Sequence, residues 1–497
     1  MSADLVITCV NSSYVSAVST NRGVVEDIHT YFSFVDPTVY IRPGNKWNGV
    51  IHIYAKRSGL LPRGLLPMLM MLVKDRGWTY EIDKEFKDEI DTDLSYEDIS
   101  KWIAEEVKPT HEDGKIIDVY DYQINAVHQI AKYKRRTILA ATSAGKSLII
   151  YCLVRYAMMH PDAKILIVVP TVALVHQLYN DFIQYSHHNK WRVSQEVHTV
   201  HAGKAAYTDL PITITTTASI AKQDASYFND VTDLIIDEAH LASAASFKHI
   251  CDSCVNARTR AGLTGTLKAE VIHPLVVQSR IGPTIKVVGV KELQESGRAA
   301  QTDIVRVRIK HPVAERVALY RCSYAEEIDY VLSCDKRNDV LINFAKNTKG
   351  NTLMMFRYKA NHLHMIREKV EAACPHKKVF VWSGDESQAE KEAIKLYVES
   401  HDDAILLGTE GSISTGISIR NLYNFAFCHP IKSFIKVMQS IGRMIRLHGE
   451  NKTAMIFDFY DDLSANTWIN AGMTHGNGRA EYYRSEGLPY KDITKEL

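Results

Sequence analysis

No run of apolar residues in the 497-residue chain approaches the roughly 18 that a helix needs to cross a bilayer, which excludes a helical membrane span. The first twenty residues hold no Lys or Arg, so the charged start of a secretory leader is missing. Neither secretion nor membrane insertion is expected. Eight cysteines are scattered along the chain, and the close pair Cys251 and Cys254 has no second pair at zinc-ligand spacing. Buried thiols of a reducing cytoplasm fit better than a disulfide framework or a metal knuckle. With a net charge of +1 the chain lacks any global attraction to a polyanion, so a nucleic-acid contact has to rest on local basic patches. Low-complexity tracts and short repeats are also missing, which excludes a solenoid.

What remains is a composition near the globular average, 46% apolar and 24% charged, in a chain too long for one core. About three domains are expected. Residues 37–80 carry seven basic residues against the single acid Asp75, whereas residues 81–99 carry nine acids against Lys84 and Lys87. Such a break marks a small domain followed by a solvated linker. Within that domain Val39 to Ile41 and Val50 to Tyr54 read as strands, and Leu65 to Lys74 as a helix punctuated by Pro67 and Gly77. From about residue 115, β-branched runs alternate with helical stretches, the mark of βαβ units. Ile165 to Val169 and Leu234 to Ile236 read as strands covered on both faces. A second series runs through Leu353 to Phe356, Val379 to Trp382, Ile405 to Leu407, Phe425 to Cys428 and Ala454 to Phe457.

The chemistry sits in short motifs. Thr137 to Ser147, T-I-L-A-A-T-S-A-G-K-S, is a strand, a small-residue loop and a helix start. Backbone N–H groups of Thr142, Ser143, Ala144 and Gly145 would cradle phosphates, Lys146 would reach the β- and γ-phosphates, and Ser147 would coordinate Mg²⁺. Ala140 stands where the strict pattern has Gly. Downstream, V-T-D-L-I-I-D-E-A-H from Val231 to His240 brings two adjacent carboxylates on a strand end. Asp237 would hold the Mg²⁺ and Glu238 would orient and deprotonate a water. Gln123, in D-Y-Q-I-N-A-V, is either an amide reading adenine or a polar residue at a helix start. Pro170 and Thr171 close a strand and open a helix, where the hydroxyl is an N-cap, a phosphate grip or both. In R-A-G-L-T-G-T, Thr264 and Thr266 flank a glycine and suit either a plain turn or a link to the catalytic carboxylates. The second α/β series has no phosphate loop, but S-T-G-I-S from Ser414 to Ser418 and Q-S-I-G-R-M-I-R from Gln439 to Arg446 fall at loop and helix positions. Arg443 and Arg446 are one helical turn apart and suited to charge on a transferring phosphoryl group.

Together these motifs, in this order, resemble the superfamily 2 helicases over about residues 118–460. The resemblance implies an α/β fold of two tandem RecA-like parallel-sheet lobes with a small N-terminal α+β domain. The expected division is 1–105 for that domain, 106–290 and 291–460 for the lobes, and 461–497 for a C-terminal helical tail. It implies ATP and Mg²⁺ as cofactors, with Gln123 reading adenine and Gly416 also near the nucleotide. His240, Thr264, Thr266 and Gln439 would couple hydrolysis to movement; Gln439 stands where many relatives have His. Pro170, Thr171, Thr217, Ser414, Thr415, Lys46 and Trp47 would contact nucleic acid, although Trp47 serves equally well as core. More narrowly, K-W-N-G at Lys46 to Gly49, R-S-G-L-L-P-R-G-L-L after it, S-T-G-I-S and the tail H-G-N-G-R-A-E-Y-Y-R from His475 to Arg484 are similar to UvsW-type bacteriophage branch-migration helicases. That family implies unwinding of forked and branched DNA during phage recombination and replication; a monomer in a host cytoplasm is expected. An RNA-remodelling enzyme of the DEAH class and a non-catalytic nucleic-acid-binding scaffold are the alternative readings.

Overall fold

The computed structural model describes residues 3–36, 48–86, 93–189, 191–201, 206–240, 245–265, 274–416, 419, 421–430 and 453–497, apart from the side chains at 388 and 414–416. The chain divides into two compact units, Met1–Val288 and Gly289–Leu497.

The first unit opens with a small sheet in the order β5 (Leu60–Pro62), β2 (Tyr14–Val18), β1 (Leu5–Cys9) and β6 (Tyr80–Ile82), beside a hairpin of β3 (Ser33–Val35) and β4 (Val50–His52). The apolar helix Leu66–Arg76 begins with Pro67 in its first turn, where a missing N–H is harmless, and ends at Gly77 in the left-handed region at φ 67°. The expected strand Val39 to Ile41 lies outside the described residues.

A seven-stranded sheet follows, built from β7 (Arg135–Ala140), β8 (Ile165–Val169), β9 (Val197–Val200), β10 (Ile212–Thr216), β11 (Asp233–Asp237), β12 (Thr259–Thr264) and β13 (Thr284–Val288). Their order is β13-β7-β12-β11-β8-β10-β9, and every pairing is parallel. Strands β8 and β10 are buried at every residue, as helices on both faces require.

The small sheet and the large one share a unit because the loop between β1 and β2 plugs into the large sheet. Arg260, 1% exposed on β12, donates to the Ser13 hydroxyl at 2.7 Å and to the carbonyls of Cys254, Cys251 and Arg280 at 2.7, 3.0 and 3.1 Å. Arg135 on β7 donates to the Ser12 hydroxyl at 2.6 Å. Two buried guanidinium groups without such acceptors would be strongly destabilising.

The second unit is another parallel seven-stranded sheet: β14 (Thr302–Lys310), β15 (Thr352–Phe356), β16 (Lys378–Trp382), β17 (Ala404–Thr409), β18 (Asn424–Phe427), β19 (Ala454–Asp462) and β20 (Tyr490–Glu496), in the order β16-β17-β15-β18-β19-β14-β20. The tail expected to be helical is only partly so. After the helix Ala471–Ser485 the chain returns as β20, an edge strand parallel to β14. Arg306 pairs with Asp492 at 2.7 Å, Arg308 donates to the Thr494 hydroxyl at 3.0 Å, and Lys310 pairs with Glu496 at 2.9 Å. This charged ladder holds an otherwise exposed strand in register. Among the described residues no helix is long and apolar enough to cross a membrane.

Candidate functional site

Parallel α/β sheets bind ligands beyond the C-terminal ends of their strands, and the first unit gathers its motifs there. Strand β12 lies between β7 and β11, with Thr264 opposite Leu139 and Leu263 opposite both Ile138 and Asp237. The phosphate-type loop after β7, the acids ending β11 and Gly265 after β12 therefore emerge side by side.

Ala140 is the last residue of β7 and pairs with Val288. It is not among the residues with positive φ, so the strand conformation does not require glycine there. Ser143 and Gly145 do turn into the left-handed region, at φ 74° and 72°. Gly145 has a second reason to be glycine: a Cβ would sit 2.4 Å from the Gln123 Nε2. Gly265 lies against the same loop, where a Cβ would meet the Thr142 hydroxyl at 3.2 Å.

Gln123 is buried, and both ends of its amide are engaged by the protein. Its Oε1 accepts from the Tyr120 N–H and its Nε2 donates to the Ala144 carbonyl, both at 2.9 Å. The geometry thus makes it a brace between the helix Asp121–Tyr133 and the loop, leaving by count one hydrogen and one lone pair of the amide.

The acidic pair is held under tension. Glu238 has φ 54°, a conformation that costs a non-glycine residue about 1–3 kcal/mol and is tolerated only where neighbours enforce it. Its N–H donates to the Asp237 carboxylate at 3.0 Å, and its carboxylate lies 3.2 Å from the His240 Nδ1. That same nitrogen is 2.9 Å from the Thr264 hydroxyl, joining the ends of β11 and β12. Burial, then the neighbouring Glu238 carboxylate, pushes the Asp237 carboxyl up to about 6, while Lys146 opposes the shift. An acid so raised is one that a cation would relieve. Asp237 and Ser147 are hard oxygen donors of the kind Mg²⁺ takes, so the residues fit that ion.

Ser147, at the start of the helix Lys146–Ala157, lies with its hydroxyl 2.9 Å from that of Tyr185. Sequence reading missed Tyr185, since 38 positions separate the two and no local pattern links them. Thr171 caps the helix Val172–Tyr185 by accepting from the Leu174 N–H at 3.3 Å, and Pro170 precedes it at the end of β8. Thr217 opens a short helix after β10, but the cap there is Thr216, which accepts from the Ser219 N–H at 3.2 Å. Lys46, Trp47, Thr266, Gln439, Arg443 and Arg446 lie outside the described residues, and at Ser414, Thr415 and Gly416 only the backbone is described.

Residues 116–269, which contain the loop, the acidic pair and Thr264, match the family model of the type III restriction enzyme res subunit. The ATP-dependent DNA helicase UvsW of Enterobacteria phage T4 is 27% identical over 497 residues, 97% of each chain. A DNA 3'-5' helicase XPB of Kineococcus radiotolerans is 28% identical over 271 residues, covering 52% of this chain and 44% of its own. The crystal structure of T4 UvsW superimposes with a TM-score of 0.52 and 26% identity over 99% of both chains. With likeness in sequence and fold along nearly the whole length, the chain is similar to the UvsW-type superfamily 2 helicases and is built on tandem RecA-like lobes.

Proposed function

We propose that this protein is an ATP-driven DNA helicase that unwinds or branch-migrates forked and four-way-junction DNA in recombination, replication and repair. The observation that carries the reading is the convergence of Lys146 with Asp237 and Glu238 at the C-terminal ends of β7 and β11, the two strands that flank β12, in a chain alignable from end to end with a DNA helicase. Ser147 and Asp237 would hold Mg²⁺, which when bound neutralises phosphate charge. The loop N–H groups from Thr142 to Gly145 and the start of the helix Lys146–Ala157 bind the phosphates, and Lys146 offsets charge building on the departing group. Glu238, aimed out of β11 by its left-handed backbone, orients the attacking water and takes its proton. His240 and Thr264 carry the state of that carboxylate to the neighbouring strand end. Arg443 and Arg446 supply the further positive charge, and Thr171 belongs to the nucleic-acid grip. The protein acts as a monomer in a host cytoplasm.

The test is ATP hydrolysis and strand displacement across single-stranded, duplex, forked and four-way-junction DNA, with matched RNA. Junction DNA should stimulate most, and Lys146→Ala should abolish hydrolysis. Equal stimulation by RNA, or by simple single strands, removes the branch-migration reading. Hydrolysis surviving Lys146→Ala removes the site.

A further inference from the structure

Tyr185 is half-buried and held at both its ring and its backbone. Its ring meets that of Tyr151 edge-on at 5.3 Å, and its carbonyl accepts from the Thr110 N–H at 3.1 Å and from Asn189 Nδ2 at 3.4 Å. Asn189 also donates to the Tyr151 hydroxyl and to the Val107 carbonyl, each at 2.7 Å. The phenol is therefore delivered to Ser147 by a fixed cluster rather than by a free surface side chain. Packing alone does not call for a hydroxyl there, since Phe182 meets the same Tyr151 ring at 5.5 Å without one.

A serine hydroxyl that gives an oxygen lone pair to a cation has to direct its proton elsewhere, and the phenol oxygen 2.9 Å away accepts it. We propose that Tyr185 is a positioning residue for the nucleotide's divalent cation, accepting the Ser147 proton and thereby fixing the serine rotor with its lone pairs turned to the metal. This rests on the reading of Ser147 as a cation ligand. Outer partners of this kind typically set metal affinity by about 10–100-fold.

The experiment uses the full chain and a fluorescent, non-hydrolysable ATP analogue titrated with Mg²⁺. Tyr185→Phe should raise the Mg²⁺ midpoint for tight nucleotide binding by about tenfold or more, leaving metal-free nucleotide affinity and the thermal midpoint in place. Ser147→Ala should raise the midpoint at least as far, and adding Tyr185→Phe to it should change nothing further. Asn189→Ala loosens the same cluster without touching the hydroxyl pair, and should lower the thermal midpoint but not move the Mg²⁺ midpoint. An unmoved midpoint in Tyr185→Phe beside a shifted one in Ser147→Ala overturns the proposal, as do additive shifts in the double variant or an equal shift in Asn189→Ala. A midpoint unmoved by Ser147→Ala removes the serine reading itself, and Tyr185's role with it.

Discussion

Replacing Asp237 by Asn should make the nucleotide-free protein more stable, and the gain should depend on pH. In the folded chain burial and the Glu238 carboxylate raise the Asp237 carboxyl from 3.8 to about 6. A carboxyl whose pKa is raised on folding stabilises the fold fully below its unfolded value, and that contribution is lost as pH rises through the folded value. Near pH 8 the protein therefore bears the cost of an ionised, crowded acid, which Asn does not carry. A shift of about two units corresponds to about 3 kcal/mol at most. For a unit of this size about 1 kcal/mol moves the melting temperature by roughly 2 °C, so Asn should raise it by several degrees. The assay is scanning calorimetry of the full chain without nucleotide or metal from pH 5 to 8, following the transition that added nucleotide shifts. The gain should be largest at pH 8 and close as pH falls through about 6. A gain independent of pH, or a loss at pH 8, would refute the claim that the pair stores electrostatic strain in the absence of a cation.

Breaking the contact between His240 and Thr264 with His240→Ala should keep nucleotide affinity within about twofold and reduce strand displacement per ATP hydrolysed by about tenfold, the upper scale of one hydrogen bond; parallel hydrolysis and displacement assays decide it. Gly145→Ala should weaken nucleotide binding, because it forces a left-handed alanine against Gln123, and equilibrium binding of the same analogue would reveal it. In the second unit Asp461 is fully buried; burial alone would raise its carboxyl, but the guanidinium of Arg337 and then His311 hold it below the usual range. Asp461→Asn should cost about 3–5 kcal/mol in denaturant unfolding at pH 7. The deficit should shrink as pH falls below about 4, because a depressed carboxyl loses its contribution there.

The sequence was most legible where structure is local. The helix bounded by Pro67 and Gly77 and the five apolar strands of the second unit stand where periodicity puts them. Strand β14 escaped because Arg306, Arg308 and Lys310 alternate along it and read as a solvated charged run, although Arg306 is buried once β20 is laid beside them. Strand β20 escaped for the complementary reason, being exposed almost throughout. At the site, residue types at fixed spacing pointed to Lys146, Asp237, Glu238 and His240. What spacing does not carry is the partner chosen by folding. The Gln123 amide goes to backbone atoms 3 and 21 positions away, and the Ser147 hydroxyl to Tyr185. Arg260 is the sharpest case. Within R-A-G-L-T-G-T it looks like the opening of a motif, yet its side chain is buried against carbonyls and a serine of the small sheet's loop.

That placement separates stability from chemistry along single strands. Strand β7 begins at Arg135, bonded to Ser12, and ends at the loop that leads to Lys146. Strand β12 begins one residue before Arg260, bonded to Ser13, and ends at Thr264, bonded to His240. Each strand is six residues long and is locked by parallel neighbours on both sides. The anchor and the site thus occupy opposite ends of the same rigid rods. Loss of Arg260 leaves buried carbonyls without donors and acts on folding, whereas loss of Thr264 removes a partner of His240 and acts on turnover. Two residues four positions apart in one motif therefore belong to different physical problems, and only the register of the sheet shows which is which.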